Sequence, residues 1–283
     1  MSYAVCHTAI SSLRSSSKER SELLSQVLFG EVMTIIDRKH NKWVRVLTHS
    51  DSVLGWILED HIIEITADDF NTYKKSNQFS VELFHPLFSS NTSFHIPFGA
   101  RLPGFDGLGF TLAGKRYTFS GRTIDTRAKR ISGEWTSKVS KMFLHAPQLP
   151  GGRSPVGMDP ASFVQLVFAS AGVIIERNFE DLVQLGNRID FVEEAKEGDL
   201  ALFEKRKGKV VHVGIVLPGK QVIHVDGTVR VDYFDHYGIF NKEDQKYSHK
   251  LRIIRRVLLE DTPLDFSVPS GGFGKSAQQI TMF

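Results

Sequence analysis

Cysteine is all but absent from this chain: Cys6 is the only one in 283 residues. A single thiol cannot close an internal disulfide or supply a cysteine-rich zinc site. The eleven histidines show neither HExxH spacing nor a tight cluster, so no structural metal is expected and no cofactor is implied. No apolar run approaches the ~20 residues that a membrane helix needs, which removes the membrane from the expected partners. Excess charge is lacking too. The formal net charge is +3, and the Lys and Arg residues are scattered. The densest basic stretch, Lys205 to Lys209, has Gly208 within it and reads as a hairpin tip. Without a basic stripe or a binding motif, nucleic acid is not an expected partner. Met1 to Ile10 lacks the charged start and apolar core of a secretory signal. The expected address is therefore the cytoplasm, with export left open for a chain that has lost an upstream leader.

What remains is an ordinary globular composition, 41% hydrophobic, with length for two or three small domains. The start of the chain holds short apolar or β-branched runs at Val27-Leu28-Phe29, Val32 to Ile36, Trp43 to Val46 and Gly55-Trp56-Ile57. Gly30-Glu31, Lys39 to Asn41 and His49 to Ser52 separate them, which predicts a small all-β module over 1–65. Trp43 and Trp56 are expected in its core, with a ligand-facing groove as the alternative. Thr66 and the acids after it predict a linker helix within 66–78. Residues 79–134 return to strand-like text, with a hairpin through Gly109 to Leu112 and Gly114 to Phe119.

The pattern changes at Gly133. Helical spacing runs from Glu134 to Leu144, Pro147 to Gly157 is a Gly/Pro loop, and Asp159-Pro160 opens an apolar helix over Ser162 to Ala171 that Gly172 closes. Strands are predicted at Asp199 to Phe203, Val210 to Val216, Gln221 to His224 and Val229 to Asp232. Helix followed by antiparallel sheet makes 135–258 an α+β domain. The tail, 259–283, shows little periodicity and is expected to be flexible.

These segments resemble a known family. Leu13-Arg14, Gly30-Glu31, Trp43-Val44 and Gly55-Trp56-Ile57 resemble a bacterial SH3 domain, and 79–134 resembles a second such module. Four later stretches resemble the papain-like domain of NlpC/p60 cell-wall peptidases, of the γ-D-glutamyl-L-diamino acid type. They are Gly151 to Asp159, Phe163-Val164-Gln165, Gly198 to Phe203 running to His212-Val213-Gly214-Ile215, and Ile223-His224 with the text to Arg252. The implied fold is α+β, a papain-like domain preceded by two small SH3-like barrels. In that family a cysteine at a helix N-terminus is the nucleophile, one histidine is the base and a third polar residue orients it. His212 and His224 match the base and the orienting residue, and adjacent predicted strands let them bond.

The match fails at the nucleophile. Where the family reads Asp-Cys-Ser-Gly-Phe, this chain reads Asp159-Pro160-Ala161-Ser162-Phe163. Proline suits the first helical position. Chemically it removes both the thiol and the backbone N–H that papain-like enzymes aim at the oxyanion. Losing one oxyanion donor alone costs roughly a hundred- to a thousand-fold in rate. The implied pocket is altered as well. Gln148 and Pro150 stand where relatives have aromatics, and Arg177-Asn178-Phe179 stands where they have Arg-Asp-Ala/Ser. Of that pocket Asp159 and Arg177 persist. Ser162 lies about 200° around the helix from Pro160, Ser154 is an unactivated serine in the preceding loop, and Cys6 belongs to another module. None replaces the nucleophile convincingly. The resemblance thus implies an inactive relative that binds a muropeptide or a protein ligand. The alternatives are an active peptidase with a displaced nucleophile and a structural protein whose groove is plugged, for which Phe179 and the tail are candidates.

Overall fold

In a computed structural model the described residues are 1–39, 42–90, 92–127, 132–205, 208–242 and 244–258, so the expected tail at 259–283 lies outside them. Short runs of β-branched and apolar residues, punctuated by Gly, Asn and Ser, form strands at the start of the chain. They are β1 (Ser2–Cys6), β2 (Ile10–Arg14), β3 (Leu23–Leu28), β4 (Val32–Lys39), β5 (Trp43–Thr48), β6 (Leu54–Leu58) and β7 (Ile62–Ile65). They pair antiparallel in the order β3-β2-β6-β5-β4-β1-β7. Alternate residues such as Ala4, Cys6, Leu13, Val44, Val46 and Ile57 point inward and are fully buried, as a period of two requires. Trp43 and Trp56 are both buried, in line with core packing, and Lys39 Nζ lies 4.6 Å from the Trp56 ring centroid.

Helix α1 (Ala67–Lys74) follows. Its N-cap is Thr66, whose Oγ1 accepts from the Asp69 N–H at 3.1 Å. Phe70 and Tyr73 on this helix are buried in a core that runs from Val5 and Phe29 to Leu87, Phe110 and Phe119. The last three belong to a second β module of β8 (Gln78–Ser80), β9 (Phe84–Ser89), β10 (Thr92–Pro97), β11 (Gly109–Leu112), β12 (Lys115–Phe119) and β13 (Thr123–Asp125). The hairpin β11–β12 turns at Ala113 and Gly114, both at positive φ, the turn hand that suits twisted strands. The two modules and α1 thus share one apolar core.

The described residues divide into two units. The first holds the described part of Met1–Ala128 and also Leu149–Asp159, a loop that sequence analysis placed within 135–258. A buried ion pair explains why the loop sits there. In the loop's short strand β14 (Arg153–Ser154), paired with β15 (Gly157–Met158), the Arg153 Nη1 and Nη2 donate to Glu31 Oε2 and Oε1, each at 2.8 Å. Both side chains are less than 5% exposed. The pair is hydrogen-bonded further: Glu31 Oε2 accepts from the Leu28 N–H, and Gln26 Oε1 accepts from the Arg153 N–H. Such partnering offsets much of the cost of burying the two charges, although Arg153 Nε has no hydrogen-bond partner among the described residues.

The second unit holds the described part of Lys129–Gln148 and Pro160–Met282. Helix α2 (Gly133–Met142) is capped by Ser132, whose Oγ accepts from the Trp135 N–H. Helix α3 (Pro160–Ala169) begins at Pro160, as the Asp159-Pro160 opening implies, and ends two residues before the expected Ala171. The ring fits position N1 and fixes φ for the first turn. Every residue from Ala161 to Phe168 is buried, as expected for a helix apolar on all sides. A one-turn helix α4 (Phe179–Leu182) precedes β16 (Asn187–Ile189), β17 (Leu200–Glu204), β18 (Val210–Leu217), β19 (Gln221–Asp226), β20 (Thr228–Phe234), β21 (Gly238–Asn241) and β22 (Lys246–Arg256). The sheet order is β16-β22-β17-β18-β19-β20-β21, and an extra β21–β22 pairing closes the last six into a barrel. Ala201, Phe203, Val216, Val222, Phe234 and Ile239 fill its interior. Helix α3 packs on β18 and β19. The architecture is the α+β one predicted, with SH3-like β modules ahead of it.

Because the Glu31–Arg153 pair is buried, removing one partner strands the other charge. Glu31→Ala is expected to lower the unfolding free energy of the first unit by about 3–5 kcal/mol in urea titrations. An effect within experimental error would show that the pair carries no such constraint.

Candidate active site

Strand register decides which side chains can meet at the end of the barrel. Gly214 on β18 faces His224 on β19, His224 faces Arg230 on β20, and Val222 faces Asp232. Residues two apart on a strand share a face, so His212, Gly214, His224, Arg230 and Asp232 all lie on one face. Val216, Val222 and Phe234 fall on the same face, which is the barrel interior. Gly214 leaves the room. A Cβ there would come within 2.5 Å of Val222 Cγ2 and 2.9 Å of the Ile223 carbonyl oxygen.

Across that gap His212 Nε2 and His224 Nδ1 are 2.8 Å apart. His224 Nε2 lies 3.0 Å from Asp232 Oδ2. Arg230 closes the chain, donating from Nε to Asp232 Oδ2 at 2.7 Å and from Nη2 to Oδ1 at 3.0 Å. His249, from β22, stacks on His212 with centroids 4.2 Å apart and planes 20° from parallel. Phe203 lies tilted against the His212 ring. His212 and His224 are both buried.

Burial pushes the His212 imidazole well below its ordinary range, and His224 and His249 add to the shift by opposing a further positive charge. His249 is lowered for the same leading reason, burial, with Asp226 partly offsetting it. For Asp232, burial acts to raise the carboxyl. The hydrogen bonds from His224 and Arg230 outweigh it and hold the group below the usual carboxylate range. Burial thus disfavours charge on His212, while the Arg230 clamp favours the ionised form of Asp232 on the far side of His224.

The remaining residues singled out from sequence are spread over both units. Pro150 and Asp159 fall in the first, while Gln148, Pro160, Ala161, Arg177, Asn178, Phe179 and the two histidines fall in the second. Two of them have local structural duties. Gln148 Oε1 accepts from the Gly227 N–H at 2.8 Å, tying the segment before the loop to the β19–β20 turn. Asn178 caps α4, its Oδ1 accepting from the Glu180 N–H at 3.0 Å. Phe179 is the first residue of that helix and is half-buried. Ala161 is buried in the first turn of α3. Sequence reasoning did not assign Asp232, Arg230 or His249 to the site. The signal was the strand alternation around His224, which could have been counted outward to Arg230 and Asp232. Among the described residues no group of His, Cys, Asp or Glu is placed to hold a metal ion.

Comparison with known proteins bears on the same segments. A family model described as the NlpC/P60 family matches residues 147–249, and one described as the bacterial dipeptidyl-peptidase Sh3 domain matches 13–62. The chain is 24% identical over 220 residues to a γ-D-glutamyl-L-lysine dipeptidyl-peptidase of Bacillus subtilis strain 168, covering 71% of each. It is 25% identical over 233 residues to the enzyme of the same name from Bacillus cereus, covering 72% of this chain and 67% of that one. Among solved structures, an NlpC/P60 family protein from Bacillus cereus ATCC 10987 superposes with a TM-score of 0.75 at 19% identity, over 91% of this chain and all of that one. An NlpC/P60 endopeptidase from Photobacterium damselae gives 0.60 at 11% identity, over 89% and 70%. Likeness at such identities concerns the fold.

His212 resists protonation in the folded state but not in the unfolded one, where a histidine titrates near about 6.5. Its contribution to stability is therefore complete above that pH and is lost as pH falls below it. Thermal melts between pH 8 and 5 are expected to show stability dropping on the acid side. The His212 share is up to about 1.4 kcal/mol per pH unit. His212→Gln should flatten that slope; an unchanged slope would contradict the assignment.

Proposed function

Because this chain belongs to the NlpC/P60 family, carries a bacterial SH3 domain and is homologous to γ-D-glutamyl-L-lysine dipeptidyl-peptidases, we propose that it is a catalytically inactive member that binds cell-wall-type peptides. The observation that carries this reading is Pro160 at the first position of α3, the helix packed on the strands of His212 and His224. Aligned by motif, that position holds the family's nucleophilic cysteine. Proline supplies neither a thiolate for the acyl intermediate nor an N–H for the oxyanion, and either loss disables the mechanism.

The substitutes for a nucleophile fare poorly. Cys6 is fully buried, and burial pushes its thiol up to about 12, so little thiolate exists at neutral pH. Ser162 and Ser154 are likewise fully buried. The pocket positions support the same reading. Gln148 and Asn178, where relatives carry an aromatic and an acid, are engaged in local backbone contacts. An amide at 178 caps α4 as well as a carboxylate does, yet it offers a peptide ammonium no counter-charge.

Two measurements test the reading. A γ-D-glutamyl-L-lysine peptide incubated with purified protein is expected to bind in calorimetry without amine release. Turnover that vanishes in His212→Ala would instead show an active enzyme, and absence of both would point to a protein partner or a purely structural role. The second uses Pro160→Cys, which places a thiol and an N–H at the helix start, where the dipole favours thiolate. Iodoacetamide should modify that thiol faster than Cys6, while peptide turnover stays negligible because Gln148, Pro150 and Asn178 do not orient the substrate. Robust turnover by this single variant would show the pocket intact.

A further inference from the structure

The histidine pair ends in a carboxylate that the family comparison does not assign a role. Ionised Asp232 can only accept hydrogen bonds, and Arg230 already donates two to it. His224 Nε2 is 3.0 Å from the same carboxylate, so the proton between them belongs to the imidazole. At a pH above the ordinary imidazole range, where both rings are taken as neutral, His224 Nδ1 must then be an acceptor. His212 Nε2, 2.8 Å away, is thereby the donor, and the remaining lone pair of His212 sits on Nδ1. Each step follows from the one before it, and the first is fixed by a residue two positions further from His212.

We propose that Asp232, held by Arg230, is a positioning residue that sets the tautomers of His224 and His212 and so presents His212 Nδ1 as a fixed hydrogen-bond acceptor. A ligand group seated against that atom must be a donor, such as an ammonium, an amide N–H or a hydroxyl. A carboxylate or carbonyl oxygen is refused there. Only the relevance to ligand rests on the proposed function above; the tautomer order rests on geometry alone. A site without a nucleophile still needs a defined acceptor to recognise its ligand, and two buried imidazoles left to themselves would share two tautomer orders.

Long-range proton–nitrogen NMR on the full chain with labelled histidine reads the tautomers directly, with His212→Gln and His224→Gln assigning the signals. At pH 8.5, above the ordinary imidazole range, both rings are expected as Nε2–H in the wild type. Asp232→Leu removes the acceptor and leaves the Arg230 guanidinium to donate to His224 Nε2. The order should then reverse, with the His212 proton moving to Nδ1. Asp232→Ala carries the same expectation should the leucine variant fail to fold, and Asp232→Glu should keep the wild-type order. A merely structural Asp232 would lower the melting temperature in these variants without moving either proton. Nδ1–H on His212 in the wild type, or an unchanged order without the carboxylate, would overturn the proposal. Neither outcome depends on peptide binding or turnover, so the proposal can fail while the functional reading stands, and the reverse.

Discussion

The antiparallel register of β18, β19 and β20 is the constraint on which the candidate site depends. Gly214 opposite His224, and His224 opposite Arg230, put His212, Gly214, His224, Arg230 and Asp232 on one face of the barrel. A slip of one residue in either pairing would turn His224 or Asp232 to the other face and dissolve the chain of hydrogen bonds. The register is held by what surrounds it. Val216, Val222 and Phe234 share that face with Phe203 and Ile239, and moving any of these strands by one residue would expose the barrel's interior. Stability of the fold and geometry of the site are the same requirement here.

That shared face also sets the site's electrostatics. The imidazoles continue an apolar interior, so they are desolvated, and the stacked His249 leaves little room for a second positive charge beside His212. Arg230 and Asp232 supply full charges of opposite sign at the end of the chain of bonds. Burial favours an uncharged imidazole at one end and the bonds place a clamped ion pair at the other, the organisation on which the proposed recognition role rests. A proline at the start of α3 is compatible with that organisation, because the helix start, the strand register and the histidine pair make no structural demand for a thiol.

The first unit shows a different economy of means. Its two β modules share a core through α1, where Phe70 and Tyr73 join Phe29 to Phe110 and Phe119. The Leu149–Asp159 loop adds a buried ion pair, Glu31 with Arg153, in which both guanidinium Nη atoms donate to the carboxylate. Burial lowers Arg101 nearby to about 10, with Glu31 acting against that shift and Arg153 adding to it. Charge deep in this unit is thus balanced among residues far apart in sequence.

By itself the sequence determined much of this. Runs such as Val32 to Ile36 and Trp43 to Val46 announced strands, Thr66 and the acids after it announced a capped helix, and the His-Val-Gly and Ile-His contexts identified His212 and His224. These signals are local: periodicity, capping and motif spacing act over a few residues. Strands β1 and β2 were harder to see because Ser2, Ser11 and Ser12 interrupt their apolar pattern. Asn178 read as a lost pocket acid, and only the structure revealed it as the cap of a one-turn helix. The attachment of Arg153 to Glu31, 122 residues earlier, was equally invisible. So was the extension of the histidine pair to Asp232 and Arg230. Which side chains share a face follows from register across three strands, and register is a property of long-range pairing that no stretch of sequence contains.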